Sequence, residues 1–386
     1  MIFDLDKSQK QIQKAVADFV KGEFKKDVVH DLVAGRSFPE AIWRKACDLG
    51  FIGIHFPEEY AGQGLGALEN VLIAEALCKG DASLGMALSF APAGAEIILY
   101  SGSDTQKSAW LPKVAEGGVL ACAALAEPGF AGSKEPCRTT AVKDGDVWVI
   151  DGVKTFAVNA GPFAGVYLVL CRTDINTDKP GRGLSVILVE ADRSGVSVSD
   201  VGHKLGGCLM DVGELRLEGV RVPLENLVGK QGQGARLLAA HRCESQMVGA
   251  AVSLGIAQGA YERSLEHTRQ RVQFGKRLVE FQITRHKLAE MAMRIESARL
   301  MTYRAACLSE GGSPDERACA MARLQAGRMA VAVCDEAIQL FGGYGYIQEY
   351  DVERYFREAK TAEMLFGSRK APLETLSNAL LKRRAA

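Results

Sequence analysis

The run Ala141-Val142-Lys143-Asp144-Gly145-Asp146-Val147-Trp148-Val149-Ile150 decides how this chain is organised. Two short β-forming stretches flank Asp144-Gly145, a hairpin signal because both residue types tolerate the left-handed backbone of a tight turn. Val166-Tyr167-Leu168-Val169-Leu170 and Leu184-Ser185-Val186-Ile187-Leu188-Val189 repeat the pattern, with Asp151-Gly152 as a second turn signal. Further strands are expected at about 195–201 and 213–217. Val220-Arg221-Val222-Pro223 closes the region with a proline that no central strand would hold.

Outward from this segment the period becomes helical. On the N-terminal side, Ile12, Ala15, Val16, Phe19 and Val20 recur at helical spacing, predicting an amphipathic helix over 8–24. Helices are also expected over 39–49, 68–78 and 84–100, with a short one at 105–111 stopped by Pro112. The segment from Phe56-Pro57 to Gly64-Leu65-Gly66 reads as a loop. On the C-terminal side, 235–270, 282–309 and 314–341 are long and apolar-faced enough for a bundle. The fold class is therefore α+β in three units: helical over 1–119, β over 120–225 and helical over 226–386.

The 386 residues are 47% hydrophobic, enough for a large core. Lys plus Arg equals Asp plus Glu at 47 each, so no overall field attracts nucleic acid or an acidic membrane. The ten cysteines form no CxxC pair and no metal-ligand spacing, and suit buried, reduced thiols. No targeting or spanning pattern is visible, so a cytoplasmic protein is expected.

Three segments carry chemistry. Ala126-Glu127-Pro128-Gly129-Phe130-Ala131-Gly132-Ser133 is a polar turn that could approach a ring or a phosphate; an ordinary surface turn is its bland alternative. Arg271-Val272-Gln273-Phe274-Gly275-Lys276, followed by Phe281-Gln282, joins two helices and offers a guanidinium to a diphosphate and a ring to a ring; a charged helix corner is the alternative. Gln339-Leu340-Phe341-Gly342-Gly343-Tyr344-Gly345-Tyr346 ends a helix with glycines that admit a ligand, or that merely cap it.

In this order, and with the Phe56–Gly66 loop, Asp81-Ala82-Ser83, Leu111-Pro112 and His203-Lys204-Leu205-Gly206, these segments resemble the acyl-CoA dehydrogenase family over nearly the whole chain. The resemblance implies a helical N-terminal domain, a middle β-barrel and a C-terminal four-helix bundle, assembled as a tetramer with FAD between subunits. It implies that Leu125, Ala126, Gly132, Ser133, Phe156, Ala157 and Val158 lie beside the flavin ring. It assigns Arg271, Phe274, Gln282, Gln339, Gly342 and Gly343 to the diphosphate and adenine, and Ser368 to the cofactor. Ser133, Phe366 and Gly367 would contact an acyl-CoA, and an electron-transfer flavoprotein would accept the electrons.

The chain departs from the family where the reaction needs a base. The family's Tyr-Glu-Gly-Thr is Leu365-Phe366-Gly367-Ser368, and Phe366 accepts no proton. Members that carry the glutamate on the first helix of the bundle match Ser245, with Glu244 one residue, about 100°, away. Glu244 is thus the first candidate base, its alternative reading being a solvated or interface charge. Glu363 and Asp211 are further carboxylates to weigh. The acidic residue of the branch acting on alicyclic thioesters has no counterpart in 84–92. The flavin-side Thr is Ala126, the Trp-Ile-Thr is Phe156-Ala157-Val158, and Phe130 is an insertion; two lost hydroxyls remove about 1 kcal/mol each. The arginine after the alternative base is Gln246. Two other readings stand beside an active dehydrogenase: a non-catalytic or half-site subunit paired with a sister chain, and a flavin enzyme of the same fold with different chemistry.

Overall fold

The computed structural model describes residues 4–129, 137–174, 183–309, 314–365 and 369–382. Its helical first part holds α1 (Lys7–Glu23), α2 (Lys26–Gly35), α3 (Glu40–Asp48), α4 (Ala67–Gly80), α5 (Ala82–Ser89), α6 (Ala95–Ser101) and α7 (Asp104–Ala115). The sheet comprises β1 (Leu120–Ala124), β2 (Thr140–Asp144), β3 (Val147–Val158), β4 (Ala164–Arg172), β5 (Leu184–Glu190), β6 (Val196–Asp200), β7 (Val212–Pro223) and β8 (Leu227–Val228). Its eight strands pair in the order β6-β7-β3-β2-β4-β5-β8, with β1 parallel on β4. There follow α8 (Gly234–Gln270), the hairpin β9 (Val272–Gln273) and β10 (Lys276–Arg277), α9 (Gln282–Cys307), α10 (Glu316–Phe341), α11 (Val352–Met364) and α12 (Lys370–Lys382).

Local chemistry sets these boundaries. Asp6 and Gln9 form a reciprocal cap on α1, as Ser103 and Gln106 do on α7. Asp144-Gly145 turns β2 into β3, with Gly145 at φ +60°. The middle of α8 is enclosed, since its residues from Ser245 to Ala257 all lie inside, so the bundle is wrapped around it. Small residues make that close packing feasible: a Cβ on Gly255 would stand 2.3 Å from the Glu75 carbonyl oxygen of α4.

Several expectations need correction. The single helix over 84–100 is broken into α5 and α6 at 90–94, because Pro92 brings no N–H and Gly94 sits at φ +105° with its missing Cβ 2.8 Å from Ala123 N. Pro112 does not stop α7, which continues to Ala115 with Leu111, Val114 and Ala115 buried against the core. Asp151-Gly152 is not a turn. It lies inside β3, where Gly152 at φ +155° passes so close to Thr139 that a Cβ would approach its Oγ1 to 2.5 Å, and the extra residue at this point of the β3–β7 pair belongs to β7. Pro223 is tolerated in β7 because it is the last residue of the strand. The helices α2, α11 and α12 and the strands β1, β8, β9 and β10 are not among the elements expected from periodicity. The cysteines are free thiols, most of them buried, as expected. Among the described residues no helix is long and apolar enough to cross a membrane.

Candidate active site

Glu244 is not a solvated charge. It faces a cavity of about 20 Å³ lined by His55, Asn70, Ser89, Phe90, Pro92, Ala93, Glu96, Glu244, Ser245 and Val248. Glu244 and Ser245 both line it: although they diverge by about 100°, the cavity fills the wedge between them and is closed by Val248, one turn onward. The opposite wall is the break between α5 and α6. Asn159, at φ +69°, fixes that wall by donating its side-chain amide to the carbonyls of Phe90 (2.9 Å), Ala91 (3.2 Å) and Ala121 (3.0 Å).

The polar groups of the cavity divide into satisfied and open ones. Glu96 is satisfied: Oε1 meets His241 Nδ1 and Oε2 accepts from Gly94 N at 2.7 Å. Ser245 Oγ donates to the His241 carbonyl at 2.9 Å and lies 3.3 Å from His241 Nε2. His55 is open. Its side chain is 8% exposed, its Nε2 stays 3.9 Å from Glu244 Oε1, and neither ring nitrogen has a hydrogen-bond partner among the described residues. Burial pushes the His55 imidazole down to about 4 against the pull of Glu96, so the ring is neutral near pH 7.

Burial, then the negative charge of Glu96, then Cys319 push the Glu244 carboxyl from 4.5 up to about 8, against a lowering hydrogen bond from Asn70. The linkage has a definite sign. A carboxyl whose folded-state value lies above its unfolded one supports the fold while protonated, fully below about 4.5, and loses that support as pH rises through about 8. Glu244→Gln is therefore expected to raise the unfolding temperature, more at pH 9 than at pH 6. Thermal melts at both values check this, and an equal shift at both would show that ionisation of Glu244 is not resisted by the fold.

Of the other carboxylates, Glu363 pairs with Lys360 at 2.7 Å, and Asp211 lines a separate groove with Arg36, His203 and Lys204. Neither lines the Glu244 cavity. Gln246 is buried in α8.

The residues expected around a cofactor fall into two groups. In the first, Thr155 N donates to the Ala126 carbonyl at 3.0 Å, setting Leu125 and Ala126 beside Phe156, Ala157 and Val158 at the end of β3. Glu127 anchors this turn. Its Oε1 accepts from Lys154 Nζ (2.6 Å), Thr139 Oγ1 (2.7 Å), Thr139 N (3.0 Å) and Cys137 Sγ (3.0 Å), and its Oε2 from Arg138 N (2.7 Å). In the second group, Arg271 stands 5.3 Å over the Tyr344 ring and His267 stacks on Phe341 at 4.1 Å, which gathers Arg271, Phe274, Gln339, Gly342 and Gly343 at one end of the bundle. Gln282 starts α9 nearby and is exposed. Gly132, Ser133, Phe366, Gly367 and Ser368 lie outside the described residues.

These residues fit a flat aromatic cofactor with a diphosphate. Phe156 and Phe274 are 70% and 94% exposed, both at φ +51°, so two strained backbones hold large rings toward water where a ring system would cover them. A Cβ on Gly342 or Gly343 would meet nothing within 4 Å, which leaves backbone open to a ligand.

The signals that periodicity lacks are the buried polar ties. Glu96 and His241 lie 145 residues apart in sequence, and nothing local announces their pairing. Arg354 of α11 donates to Asp81 Oδ2 at 2.7 Å, while Glu358 accepts from Ser83 Oγ (2.7 Å) and Gly207 N (2.6 Å), so all three parts of the chain meet just before residue 365.

Comparison with known proteins covers nearly the whole chain. The family models for the acyl-CoA dehydrogenase N-terminal, middle and C-terminal domains match residues 6–118, 122–220 and 232–381. The probable acyl-CoA dehydrogenase YngJ of Bacillus subtilis (strain 168) is 35% identical, covering 99% of this chain and 100% of the relative. The cyclohexane-1-carbonyl-CoA dehydrogenase of Geobacter metallireducens is 37% identical, covering 88% of each chain. The solved structure of butyryl-CoA dehydrogenase from Megasphaera elsdenii superposes with a TM-score of 0.93 at 32% identity, covering 99% of this chain and 100% of that one.

Proposed function

The chain belongs to the acyl-CoA dehydrogenase family, FAD-dependent oxidoreductases acting on CH–CH bonds, and on that premise we propose that Glu244 is the base that takes the α-proton of its acyl-CoA thioester. The observation that carries this reading is a buried carboxyl facing a cavity in the helical core and held at about 8, near the range a general base needs at neutral pH. Glu96 is the rival carboxylate, but His241 and Gly94 N occupy its oxygens. Glu96 acts instead through its charge, which raises Glu244.

When bound, FAD supplies the acceptor for the hydride leaving the β-carbon. Leu125, Ala126, Phe156, Ala157 and Val158 would hold its ring system, and Arg271, Phe274, Gln282, Gln339, Gly342 and Gly343 its diphosphate and adenine. Gly132, Ser133 and Ser368 keep the cofactor roles, and Ser133, Phe366 and Gly367 the substrate roles, that the family pattern gives them. The gathering of these contacts in two separate groups supports a cofactor shared between subunits of a tetramer. The exposed Ile283, Met293, Leu300 and Met301 on α9 support a subunit interface there. An electron-transfer flavoprotein then reoxidises the cofactor, in a cytoplasmic setting that suits ten free thiols.

The test is an anaerobic titration of the FAD-loaded protein with straight, branched and cyclic acyl-CoA thioesters. Bleaching of the flavin with formation of a 2,3-enoyl-CoA is expected; no bleaching by any thioester sinks the reading and favours a structural subunit. A second measurement isolates Glu96. Since its charge raises Glu244, Glu96→Gln is expected to move the midpoint of the kcat/KM pH profile downward from about 8. An unmoved midpoint would detach that profile from the Glu244–Glu96 pair.

A further inference from the structure

A buried imidazole with two open nitrogens is costly unless something meets it, since buried polar groups almost always have partners. His55 is such a group, 8% exposed and turned into the cavity that holds Glu244. The other polar side chains there are engaged: Glu96 with His241 and Gly94 N, Ser245 with His241, and Asn70 with Glu244. The rest of the wall near His55 is apolar, from Phe90, Pro92, Ala93 and Val248.

We propose that His55 reads an uncharged hydroxyl group on the acyl chain of the substrate, so that the preferred thioester is a short hydroxyacyl-CoA rather than a plain aliphatic one. The inference rests on the reading that Glu244 meets the α-carbon. His55 Nε2 stands 3.9 Å from Glu244 Oε1, a spacing that lets a hydroxyl on the γ-carbon, one carbon–carbon bond beyond the reacting pair, touch the imidazole while Oε1 meets the α-proton. A cavity of about 20 Å³ has room for one group the size of a water molecule, as a hydroxyl is. Charge excludes the other small polar ends. A carboxylate would enter beside the carboxyls of Glu96 and Glu244. An ammonium would pair with Glu244 and take the lone pair that the base needs. A hydroxyl both donates and accepts, and so pairs with Nε2 of a neutral imidazole in either tautomer.

The probes are CoA thioethers, which lack the carbonyl that acidifies the α-proton and therefore bind without reacting. Calorimetry on the FAD-loaded protein compares 4-hydroxybutyl-CoA, butyl-CoA and 3-carboxypropyl-CoA. The hydroxylated probe is expected to bind about tenfold tighter than the butyl probe, the worth of one net hydrogen bond, and the carboxylated one more weakly than either. His55→Leu is expected to bring the hydroxyl-to-butyl ratio to about one, and His55→Gln, which keeps a donor and an acceptor, to restore most of it. A wild-type ratio near one, a preference for the carboxylated probe, or a ratio that survives His55→Leu in protein with an unchanged circular dichroism spectrum would each overturn the proposal. Because the thioethers never lose a proton, these outcomes are independent of the base. Turnover retained by Glu244→Gln would remove that assignment while leaving the binding ratio to decide the role of His55.

Discussion

Glu244→Gln is expected to lower kcat on a reactive acyl-CoA by about 10³-fold while FAD stays bound, because the amide keeps the shape of the side chain and removes its ability to accept the α-proton. The wild-type rate should rise with pH and level off above about 8, where the buried carboxyl is ionised. Family members that place the base at the Phe366 position need no such residue on the first bundle helix, and it is the proposed base on α8 that this variant tests. Stopped-flow flavin reduction in wild type and variant measures the step directly. A variant that reduces its flavin at the wild-type rate, with the same pH midpoint, would exclude Glu244. Glu96→Gln is the matched control: it removes a neighbouring carboxylate and keeps its hydrogen-bonding shape, and it should retain turnover with a shifted midpoint.

The helical, β, helical order is legible in the sequence because period 3.6 gives way to period 2 near residue 120 and returns after residue 228. The family pattern is legible too, since its glycine-rich and charged turns sit at fixed places in the order. The wall of the candidate site is not. Residues 84–100 are apolar enough to read as one helix, and it takes the backbone angle of Gly94 and its approach to Ala123, beside the missing N–H of Pro92, to show why the chain breaks there and opens a cavity opposite Glu244. Position on α8 is equally hard to read. The stretch of α8 from Ser245 to Ala257 is buried on every side and offers no polar face by which to orient it, so Glu244 and Ser245 at its start cannot be assigned to inside or outside by periodicity. One buried charge did leave a trace: Lys154 falls on the same alternation of β3 as Trp148 and Ile150, which point into the core.

That lysine carries the largest expected effect on stability. Lys154 is 0% exposed and Glu127 5%, and the two meet at 2.6 Å where β3 passes the turn that starts at Leu125. Burial alone would raise the Glu127 carboxyl, but the Lys154 charge and the donors from Thr139 and Cys137 outweigh it and bring it to about 2. Lys154→Met removes the cation and leaves a desolvated carboxylate, at a cost of about 3–5 kcal/mol. The sign with pH separates this cause from lost packing. In wild type the stabilisation from Glu127 is complete above about 4.5 and is lost only as pH falls through about 2. Without Lys154 the carboxyl moves upward and takes a proton within the mild acid range, so the gap between variant and wild type should be wide in urea unfolding at pH 7.5 and narrower at pH 5. A gap that is constant with pH would assign the effect to altered packing around residue 154 instead. The double variant Glu127→Gln/Lys154→Met should recover much of the loss, since it leaves no charge to bury. The Lys154→Met variant should also lose FAD occupancy, because Glu127 fixes the turn whose Leu125 and Ala126 are assigned to the flavin ring, and the backbone bond from Thr155 to Ala126 alone is a weak tether.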